Sequence, residues 1–349
     1  MKNKKLLSRL MATVMACSIA FSLGNAMTVN AQEIEGEDGL PALQQIDDTA
    51  KIAELEVNLS EGLKEYAITS FDDVKIDDSG IATLAAGDPY ETNNMPSTAT
   101  TGRYNKVTYA TIHDDNDVDW YKIEVLSSEE PISIFLTNIP SNCDYDLYLV
   151  KYDSTNGITA LYANTESGTT SEEMYGYVEA GTWYVVVQAN SDVANNYSTS
   201  SYALYMGNYY RTGQHGYVDT GLDISFGYIA VGNTNPVYKG WYTYDLTNNT
   251  SIPNDAMVTK IYLTDSGNGA YWLGFYKMIA AGAQGDVLGD KIGQIDLMYS
   301  DDSASNYYVK QPWLIGGHII ASTNFVWEPQ ILIAYEFGAT VQNLRFLPQ

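Results

Sequence analysis

The chain has 349 residues, with 43 Asp and Glu against 18 Lys and Arg, for a formal net charge of −25. That charge repels nucleic acid and anionic lipid, which excludes both as partners; taken alone it reads as a solvated acidic surface rather than as affinity for cations. Cysteine is so scarce that a disulfide framework is excluded as well, and stability has to come from buried cores and any bound metal.

The first predicted element is a secretory signal. Lys2, Lys4, Lys5 and Arg9 precede an apolar run from Leu10 to about Leu23, and Val29-Asn30-Ala31 offers small residues for cleavage after Ala31. "VMAC" around Cys17 loosely resembles a lipoprotein site, but would leave only Leu10–Ala16 as the apolar run. Removing residues 1–31 takes away four positive charges and no acidic group, so the charge moves from −25 to −29, and Cys143 is left alone. No later stretch approaches the ~18–20 apolar residues of a membrane-spanning helix, so a secreted, extracellular protein is expected, free or associated with a cell surface.

Residues 32–87 are acidic and poor in aromatics, and read as a leader or linker contributing little to the fold. One weakly amphipathic stretch, Ile52–Ile68, fits a helix through Leu55, Leu59, Leu63 and Tyr66 about as well as a strand. From Asp88 to Gly207 short runs such as "YKIEV", "ISIFLTNI", "YDLYLVKY", "TWYVVVQA" and "SYALYMG" are separated by turn clusters such as "NIPSNCD" and "DSTNG". Their period of two and their Tyr, Val, Ile and Thr content predict a β-sandwich or jelly roll. A second set from residue 208 to 349, from "LDISFGYIAV" through "GWYTYDLT", "MVTKIYLT" and "ILIAYEF" to "QNLRF", predicts another. The expected fold class is thus all-β, with two jelly-roll-like sandwiches over 88–207 and 208–349.

The densest acid lies in "DDNDVDWY", residues 114–121, where four aspartates and an asparagine occupy six positions. Asp115-x-Asp117-x-Asp119 has the alternation of an EF-hand loop, but Trp120 stands where that loop needs Gly and Leu126 where it needs a bidentate Glu. A two-segment site is better matched to these residues. "DPYETNN" supplies Glu91, Asn93 and Asn94; the later loop supplies Asp115, Asn116, Asp117 and Asp119. Hard oxygen donors from two places suit Ca²⁺, which takes six to eight of them at about 2.3–2.6 Å. From spacing alone, an Asp/Asn turn capping its own backbone accounts for the cluster equally well.

The ordered motifs "DPYETNN", "TIHDDNDVDWYKIEV", "DYDLYLVKY" and "GTWYVVVQA" resemble the bacterial pre-peptidase C-terminal domain, and are similar to collagen-binding modules of secreted bacterial collagenases. The likeness covers about Asp88–Gly207. It implies a β-sandwich appended to secreted enzymes, with calcium held by Glu91, Asn93, Asn94, Asn116 and Asp119, and Asp115 and Asp117 beside them. Thr92 departs from the usual Pro, and Asn94 and Asn116 replace acidic residues, which weakens the implied site. Collagen as ligand does not carry over: Gln188 and Asn190 stand where those modules use tyrosines, and Tyr162 alone reads as sheet packing.

No H-E-x-x-H, G-x-S-x-G or C-x-x-C occurs in the chain. His113, His215 and His318 are far apart in sequence, His113 is expected to stand outside the metal site, and acidic surroundings disfavour Cys143 as a thiolate. In the C-terminal half Trp241, Tyr242, Tyr271, Trp272 and Trp313 form either a sugar-stacking platform or, the preferred reading, core and cross-strand pairs. A short "YDL…IP" stretch there faintly resembles β-sandwich modules of bacterial surface and carbohydrate-active proteins. The expected function is a non-catalytic binding or accessory protein whose calcium-stabilised module adheres to an extracellular protein or glycan. The alternative is a secreted peptidase or glycosidase with its site in the C-terminal domain.

Overall fold

The computed structural model describes residues 59–70, 74, 88–232, 234–265, 275–282, 286–292, 295–298, 307–319 and 324–349. Their regular structure is nearly all strand, and the chain divides into two compact units. The first takes in Glu56–Arg211 and Gly338–Gln349; the second contains Thr212–Phe337. The all-β expectation is met.

In the first unit the strands are β1 (Thr100–Thr101), β2 (Lys106–Ala110), β3 (Val118–Val125), β4 (Ile132–Thr137), β5 (Tyr145–Asp153), β6 (Gly157–Asn164), β7 (Glu172–Gly176), β8 (Gly181–Ala189) and β9 (Tyr202–Asn208). They pair as a five-stranded sheet β1-β3-β8-β5-β6 and a four-stranded sheet β2-β9-β4-β7. Because side chains alternate along a strand, Tyr121, Ile123 and Val125 of β3 face one way, and Trp120 faces the other. The first set joins Leu147, Leu149, Val185 and Val187 against Ile134, Leu136, Leu204 and Met206 of the other sheet. Trp120 packs with Tyr148, Val150, Val186 and Val74 on the opposite face. Both faces of the central strands of the five-stranded sheet are therefore covered, which is why "YDLYLV" reads as a nearly continuous apolar run.

Two boundaries differ from those read in the sequence. Within the stretch expected to be linker, helix α1 (Leu59–Glu65) sets Leu63 into the main core. It approaches β7 so closely that a Cβ on Gly62 would lie 2.2 Å from the Tyr175 carbonyl oxygen, so glycine is required there. Beyond α1, Ala163 N–H donates to the Tyr66 carbonyl and Ile68 N–H to that of Leu161, at 2.9 and 3.1 Å. The segment thus covers the free edge of β6, an edge that sheets rarely leave open. Its two leucines at i and i+4 suffice for docking although its composition is acidic. At the other end "QNLRF", read as a strand, lies in a 3₁₀ helix, Val341–Phe346, of the first unit. Ser133 Oγ donates to the Ala339 carbonyl at 2.5 Å, and Val107 N–H to that of Pro348 at 2.8 Å.

The second unit contains β10 (Tyr210–Asp219, entering from the first), β11 (Ile224–Tyr228), β12 (Val237–Asp245), β13 (Met257–Asp265), β14 (Phe275–Ala281), β15 (Asp286–Ile292), β16 (Ile295–Met298), β17 (Pro312–Ile319), β18 (Asn324–Trp327) and β19 (Pro329–Gly338). Among the described residues these form sheets β10-β19-β13-β16, β12-β17-β14-β15 and the pair β11-β18. Phe275 meets the rings of Phe226 and Trp327 edge-on at 5.5 and 5.2 Å between centroids, all three buried.

Candidate metal centre

The lead-in segment 88–101 is fastened to β3 before any side chain is considered. β1 pairs in parallel with β3, setting Thr100 opposite Tyr121. Trp120 N–H donates to the Asn93 carbonyl at 2.8 Å, and Gly102 N–H to that of Lys122 at 2.8 Å. Asp88 ties the other end of the segment: its two carboxylate oxygens accept from the Tyr90 and Thr111 N–H groups at 2.8 and 2.7 Å. "DPYETNN" is thereby laid against the loop 111–117 that leads into β3.

Strand parity then decides where the aspartates go. Asp119 shares the inward face of Tyr121 and is fully buried. Its Oδ2 accepts from Tyr202 Oη at 2.6 Å and its Oδ1 from Asn93 Nδ2 at 2.9 Å. The single Tyr202 proton is committed to Asp119, so Tyr121 Oη donates to Tyr202 Oη across 2.9 Å. Asp119 therefore lies inside a satisfied chain, Tyr121–Tyr202–Asp119–Asn93. Burial pushes its carboxyl well above the ordinary range, and the neighbouring Asp117 charge adds to this against the two hydrogen bonds.

Asp117 and Glu91 differ in having oxygens with nothing to bond. Asp117 Oδ2 accepts from the His113 N–H at 2.8 Å, but its Oδ1 is buried without a partner. Glu91 Oε1, Asn93 Oδ1 and Asn94 Oδ1 are likewise buried and unpartnered. His113 Nδ1 stands between the two acids, 3.1 Å from Glu91 Oε1 and 2.5 Å from Asp117 Oδ2, at angles that make ion-pair contacts rather than hydrogen bonds. Donor atoms of Glu91, His113 and Asp117 all lie within 4.8 Å of one another, the one such trio among the described residues. Burial, then the Asp117 charge, raises Glu91 to about 7, the His113 contacts opposing. Burial raises Asp117 to about 6 against the pull of its contacts with His113. A buried group with no partner costs about 1–3 kcal/mol, and more when charged; a divalent cation would satisfy these oxygens together. The donor set therefore fits a hard ion.

The seven residues proposed from sequence separate into three groups. Glu91, Asn93, Asn94 and Asp117 supply the unpartnered oxygens. Asp119 is brought to them but spends both oxygens in holding Asn93 and Tyr202, a positioning role. Asp115 and Asn116 sit exposed at the tip of the turn, which Asp114 caps by accepting from the Asn116 N–H at 2.8 Å. The capped turn describes Asp115 and Asn116, and the shared-ion reading is left with Glu91, Asn93, Asn94 and Asp117 as its donors. The residue that sequence reasoning placed outside is His113; its available signal was adjacency to the acid run, directly after the buried Ile112.

Of the aromatic candidates in the second unit, three lie among the described residues. Trp313 is fully buried, with Nε1 donating to the Val309 carbonyl at 3.0 Å, so it is a core residue and not part of a platform. Trp241 and Tyr242, on β12, are half-buried. Tyr271 and Trp272 lie outside the described residues.

Residues 117–189 match the bacterial pre-peptidase C-terminal domain family, within the region that its motifs suggested. No curated protein matches the chain. Among solved structures, a putative secreted protein from Eubacterium rectale is 11% identical, with 69% of this chain and 82% of that one covered and a TM-score of 0.30. The PBSX exported protein XepA is 9% identical over 77% of this chain and 100% of that one, TM-score 0.23. A tandem CBM22 domain of Xyn10C from Paenibacillus barcinonensis is 7% identical over 67% and 91%, TM-score 0.21. Among the described residues no helix is long and apolar enough to cross a membrane.

Proposed function

We propose that this is a secreted, non-catalytic binding or accessory protein, whose first β-sandwich is stabilised by calcium and adheres to an extracellular protein or glycan. The observation that carries the reading is the match of residues 117–189 to a domain family that accompanies secreted peptidases. The unpartnered oxygens of Glu91, Asn93, Asn94 and Asp117 support the calcium component. An ion there would bind the lead-in segment to the loop before β3, so that the sandwich keeps its N-terminal edge closed outside the cell. Calcium at extracellular levels suffices for such a role, since modules of this kind operate with Kd of roughly 10⁻⁴–10⁻³ M.

The full chain, applied with and without calcium to arrays of glycans and extracellular matrix proteins, tests the reading. Saturable retention on one ligand class, weakened by chelator, is the expected result. Cleavage of an arrayed protein or polysaccharide would overturn it in favour of a hydrolase.

A further inference from the structure

We infer that the same centre accepts a first-row transition ion of borderline softness, Zn²⁺ being the representative, through His113, and holds it more tightly than calcium. The inference rests on the cation-site reading above and adds to it the identity of the ion. It starts from the nature of the donors: Glu91 Oε1, His113 Nδ1 and an Asp117 carboxylate oxygen form a mixed nitrogen and oxygen set. Calcium gains little from imidazole nitrogen, whereas zinc and its neighbours favour it.

The spacing agrees. Ligands at about 2.0–2.2 Å around a tetrahedral zinc are about 3.3 Å apart, and His113 Nδ1 lies 3.1 Å from Glu91 Oε1. Asp117 Oδ1, on a side chain with no exposure, and Glu91 Oε1, on one 6% exposed, are the unpartnered oxygens that an ion would take. The far side of the ring carries a further mark. His113 Nε2 is 3.3 Å from Asp114 Oδ2, an ion-pair contact rather than a hydrogen bond, while Asp114 Oδ1 is fixed by the Asn116 N–H. A carboxylate behind the second ring nitrogen is how metal-binding histidines are oriented and made more basic, and losing it costs about tenfold to a hundredfold in affinity. Asp114 is in this account a positioning residue, and Asp114, His113 and Asp117 form one line from the turn into the cluster.

The test uses the full chain stripped with chelator. Co²⁺ serves as the spectroscopic probe, Zn²⁺ as competitor, and the calcium-induced rise in thermal stability as the separate readout of the cation site. The expected result is ligand-field absorption on adding one equivalent of Co²⁺, displaced by Zn²⁺ and lost in His113→Ala, with zinc bound at least about tenfold more tightly than calcium. Asp114→Asn should weaken zinc by about tenfold or more, and both variants should keep a cooperative thermal unfolding transition in chelator, which shows that they fold. His215→Ala should leave the absorption unchanged. If calcium stabilises the chain but Co²⁺ and Zn²⁺ do not bind, or bind His113→Ala equally well, the inference falls and the calcium reading stands. If no ion binds, both fall.

Discussion

The lead-in to the first sandwich and the aromatic strands of the second unit bury polar atoms under opposite conditions. In the second unit Trp313 Nε1 and Trp327 Nε1 each donate to a backbone carbonyl, of Val309 at 3.0 Å and of Thr264 at 3.2 Å. In the first, oxygens of Glu91, Asn93, Asn94 and Asp117 are buried without a hydrogen bond. Trp313, one of the five aromatics weighed as a binding surface, is thus closed into packing, while the acid that looked like a solvated turn is partly withdrawn from water and left incomplete. What sets the lead-in apart is that four residues with such oxygens are brought together there, and that grouping makes it a candidate place for a ligand.

The largest effect that would break this contrast is at Trp313. If it only packs, Trp313→Ala should cost about 3–5 kcal/mol, read as a lowered unfolding midpoint for the second unit. Unchanged stability together with lost glycan retention would restore the platform.

Asp119→Ala is expected next. It leaves Tyr202 and Asn93 without their acceptor, at about 1–3 kcal/mol for each buried group. Because the role is positioning, the loss should appear in chelator as well as in calcium; a loss seen with calcium alone would make Asp119 a ligand instead.

Glu172 provides a buried acid away from the centre. Burial raises its carboxyl to about 8, the Glu166 N–H opposing and the Asp146 charge adding. A raised folded-state value means that the native chain keeps a proton which the unfolded chain releases near pH 4.5. Stability from this group is therefore unaffected below that pH, and is lost as pH rises from about 4.5 to about 8, by up to about 1.4 kcal/mol per unit. Glu172→Gln should flatten this slope and raise Tm at pH 8 while leaving it unchanged at pH 4, measured by thermal melts across that range.

The smallest effect belongs to Asp115 and Asn116. Exposed at the turn tip, they should change stability by no more than about 0.5 kcal/mol when replaced together by Ala, with calcium affinity intact. A clear loss of affinity would return them to the ligand set.

The strands were legible where alternation is strong. "YKIEV", "YDLYLVKY" and "TWYVVVQA" lie in β3, β5 and β8 because their periodicity is itself the physics of facing a core. The docking of α1 was not legible, since Leu59 and Leu63 are too few to outweigh an acidic composition until β7 offers Gly176 and Tyr175 to pack against. Nor was the return of residues 338–349 to the first unit, which is set by distant partners such as Ser133 and Val107. For the centre, residue type pointed to two segments that the fold brings side by side, and parity along β3 gave Asp119 an inward face. What spacing did not contain was which oxygens had already found donors, and that distinction separates Asp119 from Asp117.

The central claim, that a cation completes the lead-in to the first sandwich, is tested most directly by the calcium dependence of thermal unfolding in the chelator-stripped full chain and in Glu91→Gln/Asp117→Asn. The account predicts that calcium raises the unfolding temperature of the wild-type first unit, by about 2.7 kcal/mol of stability at a hundredfold excess over Kd, and that the double variant shows no rise. A wild-type melt unmoved by calcium or by chelator would contradict it.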